Sequence, residues 1–305
     1  MSAWLIERGT EAYPAPLMDL EPGERPSVVH GRGNREALVV LDGERAVTIV
    51  GSRRARAYGL RVAERLGRDL ALAGVTVVSG MARGIGAAAH RGALRAGGVT
   101  VAVVANGPDV VYPPVNRALY ERILGTGAVI SEHAPGVIAR RHYFTERNRI
   151  MAALGGVVVL VEGAQPSGSL VTADLALKLG RPVGAVPGQV DTRVAAGTND
   201  LINDGAHLIR DARDVLDLLF GVGVEPARGR PRRAPGPRPG PALDRRLAAV
   251  LDLVASGTNT VDRIAVGGEL QPRDAAGALA RLELLGYVSA DALGGFRTTE
   301  LTPPP

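Results

Sequence analysis

Six short apolar runs, rich in β-branched residues, set what this chain can fold into: Val47–Val50, Val75–Val78, Val99–Val104, Ala128–Ile130, Val157–Val161 and Pro182–Val186. A strand with one face in water alternates apolar and polar side chains, and these runs do not. Both of their faces must therefore be covered, which is the signature of a parallel sheet between two helical layers. The covering elements are legible between them, at Tyr58–Ala73, Ala87–Ala96 and Asn116–Leu124, where apolar residues recur at helical spacing. The pattern predicts an α/β fold with a doubly wound, mostly parallel Rossmann-like sheet over residues 46–220.

A break follows. Residues 221–242 read GVGVEPARGRPRRAPGPRPGPA, with six prolines and five arginines and no apolar periodicity, which predicts an extended linker. Its arginines, Arg228, Arg230, Arg232, Arg233 and Arg238, suit a nonspecific contact with nucleic acid. Beyond it, Leu243–Ala255 has helical spacing, Thr260 is placed to cap a short helix, Pro272–Leu285 reads as a third helix, and GYVSADALGGFRTT as a hairpin turning at Gly294–Gly295. Three helices and a hairpin predict a winged helix-turn-helix over 243–297 with a tail at 298–305, a module that contacts duplex DNA or protein. Its third helix carries Arg273 and Arg281 against Asp274 and Glu283, less basic than a DNA-reading helix should be. Residues 1–45 read as a short lead-in.

Composition excludes several chemistries. The chain has 305 residues and no cysteine, so disulfides, thiolate metal sites and cysteine nucleophiles are out. The five histidines lack zinc-ligand spacing, so no metal is expected. No apolar run approaches the ~20 residues of a bilayer span and the N-terminus lacks a signal-peptide pattern, so a cytoplasmic, non-membrane protein is expected. The net charge is +5 and Lys178 is the only lysine, so an anion site here would have to use arginine, the better bidentate phosphate ligand.

In an open parallel sheet, ligands bind where strands end and helices begin. Here those ends read Gly51-Ser52-Arg53-Arg54, Ser79-Gly80-Met81-Ala82-Arg83-Gly84, Asn106-Gly107 with Tyr112-Pro113, Ser131-Glu132, Glu162-Gly163 with Ser167-Gly168-Ser169, and Pro187-Gly188. Glycines let backbone N–H groups approach an anion, and helix N-termini favour negative charge. Residues 84–89 also match a dinucleotide fingerprint, with Asp109 about where a ribose-binding acid sits, but the match begins five residues past the strand rather than at its first turn. Residues 140–149, RRHYFTERNR, place two of the chain's ten aromatics among four arginines. Rings beside guanidinium groups suit a strand of nucleotides, with bases stacked and phosphates paired.

The motifs GSRRARAYG at 51–59, SGMARGIGAAAHRGAL at 79–94, YPPVNRAL at 112–119, ISEH at 130–133, FTERNRIMAAL at 144–154, VVLVEGAQPSGSLVTADLALKLGRPVGAVPG at 158–188 and GTNDLINDGA at 197–206 occur in this order. Together they make residues 46–220 resemble the DNA-processing protein A family (DprA/Smf). The resemblance implies a non-enzymatic mediator that protects incoming single-stranded DNA and loads RecA-type recombinase on it during natural transformation, as a homodimer and without cofactor. It implies a strand-binding pocket of Gly51, Ser52, Arg53, Ser79, Gly80, Arg83, Gly84, Arg141, Phe144, Arg147, Asn148, Arg149, Ser167, Gly168 and Ser169. Self-association would use Leu201, Ile202, Leu208 and Ile209. The chain departs from the family pattern at Gly86, where an acid is usual, and at Thr145, where a proline is common. Two other readings stand beside this one. A Rossmann-like nucleotide-binding or nucleoside-monophosphate-cleaving enzyme would use Glu132 or Glu162 as its carboxylate, and a winged-helix regulator would read duplex DNA.

Overall fold

The computed structural model describes residues 3–39, 41, 45–222, 238–256, 258, 260–268, 270–290, 295–299 and 301–302. Its two units, Met1–Arg232 and Arg233–Pro305, are described separately.

Among the described residues the first unit is built on nine strands: β1 (Ala3–Glu7), β2 (Val28–Gly33), β3 (Ala46–Gly51), β4 (Thr76–Ser79), β5 (Thr100–Val103), β6 (Ala128–Ser131), β7 (Val157–Val161), β8 (Val183–Ala185) and β9 (His207–Leu208). They lie in the order β1-β2-β6-β5-β4-β3-β7-β8-β9, parallel from β6 to β9. The helices are α1 (Glu36–Val39), α2 (Ala57–Leu72), α3 (Ile85–Arg95), α4 (Arg117–Thr126), α5 (Arg141–Leu154), α6 (Gly168–Lys178), α7 (Ala196–Asn203) and α8 (Ala212–Phe220). The α/β architecture and the six expected strands are those of the sequence reading.

Side-chain alternation explains why the strands are apolar throughout. Ala46 and Val50 of β3 join Val78, Val101, Val158 and Leu160 in one core, which Ile150, Met151 and Leu154 of α5 and Ala173 of α6 close. Val47 and Ile49 point to the opposite side, joining Val77, Val157 and Val159 under Leu66 of α2 and Ala88 of α3. Each strand thus carries two buried faces, which no alternating sequence could supply.

Residues 1–45, expected as a lead-in, contribute more than that. β1 and β2 extend the sheet antiparallel beyond β6. Their sequences, AWLIE and VVHGRG, lack a continuous branched run. Tertiary contacts hold them instead: Trp4 Nε1 donates to the Gly33 carbonyl at 3.0 Å, the Trp4 ring lies against Gly31 where a side chain would collide with it, and the Tyr13 hydroxyl donates to the Pro26 carbonyl at 2.7 Å.

The second unit has helices α9 (Arg245–Ala255), α10 (Val261–Gly267) and α11 (Pro272–Leu284) and strands β10 (Arg238–Pro239), β11 (Val288–Ala290), β12 (Phe296–Thr298) and β13 (Leu301–Thr302). β11 and β12 pair antiparallel as the expected hairpin, while β10 and β13 pair parallel, joining two segments read as linker and tail. α9 begins at Arg245 because Asp244 Oδ1 accepts the Leu247 N–H at 2.9 Å. Thr260 occupies the N-cap of α10, but its side chain makes no capping bond. Leu251, Ile264, Leu279, Leu282 and Tyr287 form the core. Arg228, Arg230, Arg232, Arg233 and Gly294 lie outside the described residues. Among the described residues no helix is long and apolar enough to cross a membrane.

Candidate nucleic-acid interface

From β3 the chain crosses to β4 on one side of the sheet, and from β7 to β8 on the other, so the ends of adjacent β3 and β7 flank the switch point where such sheets bind ligands. A cleft of about 750 Å³ opens there. Its walls come chiefly from five places: the end of β3 (Gly51–Arg54), the end of β4 (Ser79, Gly80, Ala82), one side of α5 (Arg141, Phe144, Arg147, Asn148), the start of α6 (Ser167–Ser169, Thr172), and the turn before α7 (Arg193, Val194).

Backbone contacts hold these walls together. A side chain at Gly51 would fall on the Val161 carbonyl, so only glycine lets the strand pass β7 and turn. The Ser52 N–H then donates to the Glu162 carbonyl at 2.7 Å, and Ser52 Oγ accepts the Arg54 N–H at 3.0 Å. Gly84, at φ +78°, brings α3 against this loop, where the Ile85 N–H donates to the Ser52 carbonyl. Ser79 is buried, its hydroxyl given to the Ile49 carbonyl at 2.6 Å, so it positions the β4 turn. Met81 and Glu162, both at φ 52°, are the non-glycine residues with left-handed backbone among the described residues, and each follows a strand beside the cleft. Such strain costs ~1–3 kcal/mol and persists where neighbours over-determine it. Asn116 Nδ2 holds the Met81 carbonyl at 2.8 Å, and the Glu162 carboxylate accepts the Arg56 and Gly59 N–H groups at the start of α2.

Among the described residues, five arginines and no carboxylate line the cleft. Arg53, Arg54, Arg141 and Arg193 are exposed around its mouth. The Arg53 guanidinium lies 4.8 Å from the centre of the Phe144 ring, and the Tyr112 ring tilts against Phe144 with centroids 5.6 Å apart. Phe144 borders a second, smaller hollow of about 60 Å³ lined by Arg83, Asn106, Tyr112 and Pro113. Arg83 and Tyr112 are thus neighbours of the main cleft across Phe144. The sequence reading missed Arg54, Arg193, Thr172 and Tyr112 as candidates. Arg54 and Tyr112 lay in motifs already singled out at strand ends, Thr172 lay inside the 158–188 motif but past its strand end, and Arg193 lay in no motif.

Arg147, Asn148 and Arg149 fall into three different environments. Arg147 is 5% exposed, and Nη1 donates to the Val103 carbonyl at 2.6 Å. Gly80 makes room for it, since a side chain there would fall on the guanidinium. Burial, and then the charge of Arg53, push its pKa down to about 9, so it stays protonated at neutral pH. Asn148 Nδ2 donates to the Gly168 carbonyl at 3.1 Å and ties α5 to the start of α6. It positions the serine loop with one of its two amide N–H donors. Arg149 is a correction to the expected pocket. It does not line the cleft, because helical spacing turns it outward from Arg147, and its Nη1 and Nη2 donate to Glu132 at 2.8 and 2.6 Å. The pair's hydrogen bonds and charge raise the Arg149 pKa even though burial, the largest influence, opposes this.

The carboxylates weighed for catalysis are engaged elsewhere: Glu132 with Arg149, Glu162 with the α2 N-terminus. Asp109 Oδ1 accepts the Gly136 N–H at 2.8 Å and anchors a loop. Glu132, His133 and Glu146 lie within metal-binding reach of one another, but Arg149 neutralises Glu132 and His133 stacks on Tyr143 at 3.9 Å. Among the self-association candidates, Ile209 is fully buried in the core under α2 and α3, and Leu201 packs partly against the opposite core under α5 and α6. Ile202 is half-buried, and Leu208, on edge strand β9, is 46% exposed. Core packing therefore removes Ile209 from any such surface.

The sequence profile of the DNA recombination-mediator protein A family matches residues 4–220. A Mycobacterium tuberculosis chain named for DNA processing protein DprA is 43% identical over 246 residues, which are 79% of this chain and 61% of that one. The DNA processing protein DprA of Streptococcus pneumoniae is 36% identical over 206 residues, 68% of this chain and 71% of the relative. The crystal structure of the Streptococcus pneumoniae protein superposes with a TM-score of 0.65 at 34% identity, covering 71% of this chain and 74% of that one. Helicobacter pylori DNA processing protein A, whose structure is described for its single-stranded DNA binding mode, gives a TM-score of 0.64 at 27% identity, covering 72% and 96%. The chain thus spans about three-fifths of the mycobacterial relative's length.

Proposed function

This chain belongs to the DNA recombination-mediator protein A family, and from that premise we propose that it binds single-stranded DNA across the arginine cleft. Bound there, the strand is protected and handed to a RecA-type recombinase during natural transformation. One observation carries the reading: five arginines and no carboxylate line a cleft whose aromatic wall, Phe144, lies under a guanidinium. Arginines at the mouth meet successive phosphates while a base stacks on or wedges beside the Phe144 ring. Arg83, across that ring, meets a phosphate of the same strand. The positions of Glu132 and Glu162 support binding over catalysis, since both are held outside this cleft. Exposed Leu208 on the two-residue edge strand β9 is the part of the expected self-association patch best placed to meet a second copy. The protein works in the cytoplasm, and its second unit, a winged helix, makes a secondary contact with duplex DNA or protein.

Fluorescence anisotropy with labelled single-stranded and duplex oligonucleotides across a salt series tests the proposal. Preference for single strands, with log affinity falling by ~0.7 per phosphate contacted for each decade of salt, is the expected result. Duplex preference would move the activity to the second unit. Recombinase loading is read separately, as faster filament formation on the protein-coated strand.

A further inference from the structure

The floor of the cleft differs from its mouth. The guanidinium of Arg147 is buried there without a carboxylate partner among the described residues, and its Nε has no hydrogen-bond partner. The same lining holds Thr172, 1% exposed, whose Oγ1 also lacks a partner. The third component is the start of α6, an eleven-residue helix whose Ser167 and Ser169 hydroxyls are 2.8 Å apart. A buried cation left unpaired is costly, and the neighbouring Arg149 shows how this fold neutralises an arginine when it needs no ligand. The unsatisfied charge and hydroxyl are therefore complementary to an anion that enters the cleft.

We propose that the floor takes a terminal phosphomonoester, the phosphate at the end of a DNA strand, while internal phosphodiesters stay at the mouth. This rests on the single-strand reading of the same cleft. Two physical differences separate the groups. A diester has chain on both sides and cannot lower its phosphate onto a floor whose Arg147 is 5% exposed without dragging both flanks inward. A monoester has one substituent, and it carries nearly two negative charges at neutral pH where a diester carries one. The buried guanidinium, the α6 N-terminus and the serine hydroxyls favour the higher charge. The exposed arginines of the mouth suit a succession of single charges.

The test compares one fluorescent oligothymidylate bearing a 5′-phosphate, a 3′-phosphate, or hydroxyls at both ends, with thymidine monophosphate as a competitor. At least one phosphorylated end should bind about tenfold more tightly than the hydroxyl-ended strand. That advantage should shrink between pH 7.5 and 5, as the monoester loses its second charge near pH 6. Arg147→Met should abolish the advantage, weakening the phosphorylated strand about tenfold more than the hydroxyl-ended strand, in a variant whose folding is checked by thermal melting. Should that variant fail to fold, Thr172→Val, which keeps the volume and removes the hydroxyl, should reduce the advantage. Equal affinity for all three ends overturns the proposal, as does an advantage that survives Arg147→Met. Competition by thymidine monophosphate without binding of any strand would sink the single-strand reading while leaving the phosphate floor standing. Absence of binding by strand and nucleotide alike overturns both.

Discussion

Arg53 separates a binding role from a structural one most cleanly, because nothing in the fold depends on it. Its side chain is exposed, and its guanidinium lies 4.8 Å from the centre of the Phe144 ring. Losing that contact in Arg53→Ala costs ~0.5–1 kcal/mol at an exposed site, and an exposed substitution away from caps and networks changes stability by about ±0.5 kcal/mol. The melting temperature should therefore stay within about 4 °C of the parent, given that ~1 kcal/mol corresponds to about 2–4 °C in a domain of this size. Strand binding should respond far more. A charge-assisted contact to phosphate contributes ~1.5–3 kcal/mol, and ~1.4 kcal/mol is tenfold in affinity, so the dissociation constant should rise about ten- to a hundredfold. Removing one phosphate contact should also flatten the salt dependence by about 0.7 in log–log slope. Anisotropy titrations of parent and variant from low to moderate salt read both quantities. An unchanged affinity and slope in a variant that melts normally would refute the assignment of this cleft to nucleic acid.

Phe144→Ala should lose ~1–3 kcal/mol of single-strand binding if a base meets the ring, while Phe144→Tyr retains most of it; the same titration decides. Glu162→Gln should lower stability by ~1–3 kcal/mol, since a buried charged acceptor of the Arg56 and Gly59 N–H groups is replaced by a weaker one, and chemical denaturation reads the change. His90 is fully buried, with Nδ1 2.7 Å from Thr100 Oγ1, and burial pushes its pKa down to about 3. The unfolded chain takes up a proton at His90 below about pH 6.5 that the folded chain refuses, so stability is full above that pH and falls toward pH 3 by ~1.4 kcal/mol per unit. His90→Gln should flatten this limb in denaturant titrations between pH 7 and 4, and an identical pH profile would show that the histidine is not the group responsible.

Where one local rule decided the outcome, inspection of the residues was enough. Val157–Val161 could only be a strand buried on both faces, and the glycines and arginines after β3 and β4 could only lie at the ligand-binding edge of a parallel sheet. The outer strands β1 and β2 escaped because Trp4 and Tyr13 secure them through partners elsewhere in the chain. The self-association patch was overextended for the same kind of reason, since exposure of Leu208 and burial of Ile209 depend on what β9 packs against rather than on hydropathy.

The run Arg147-Asn148-Arg149 shows the boundary most sharply. Its composition and its place at a helix start identified a polar, anion-seeking segment, since residue type and spacing carry that information locally. Three consecutive positions on a helix point about 100° apart, so which of them faces the ligand is set by the elements packed around α5. Gly80 admits Arg147 to the cleft floor, the start of α6 claims Asn148, and Glu132 at the end of β6 captures Arg149. None of these three partners is adjacent in the chain, and only folding brings their charge and space to bear.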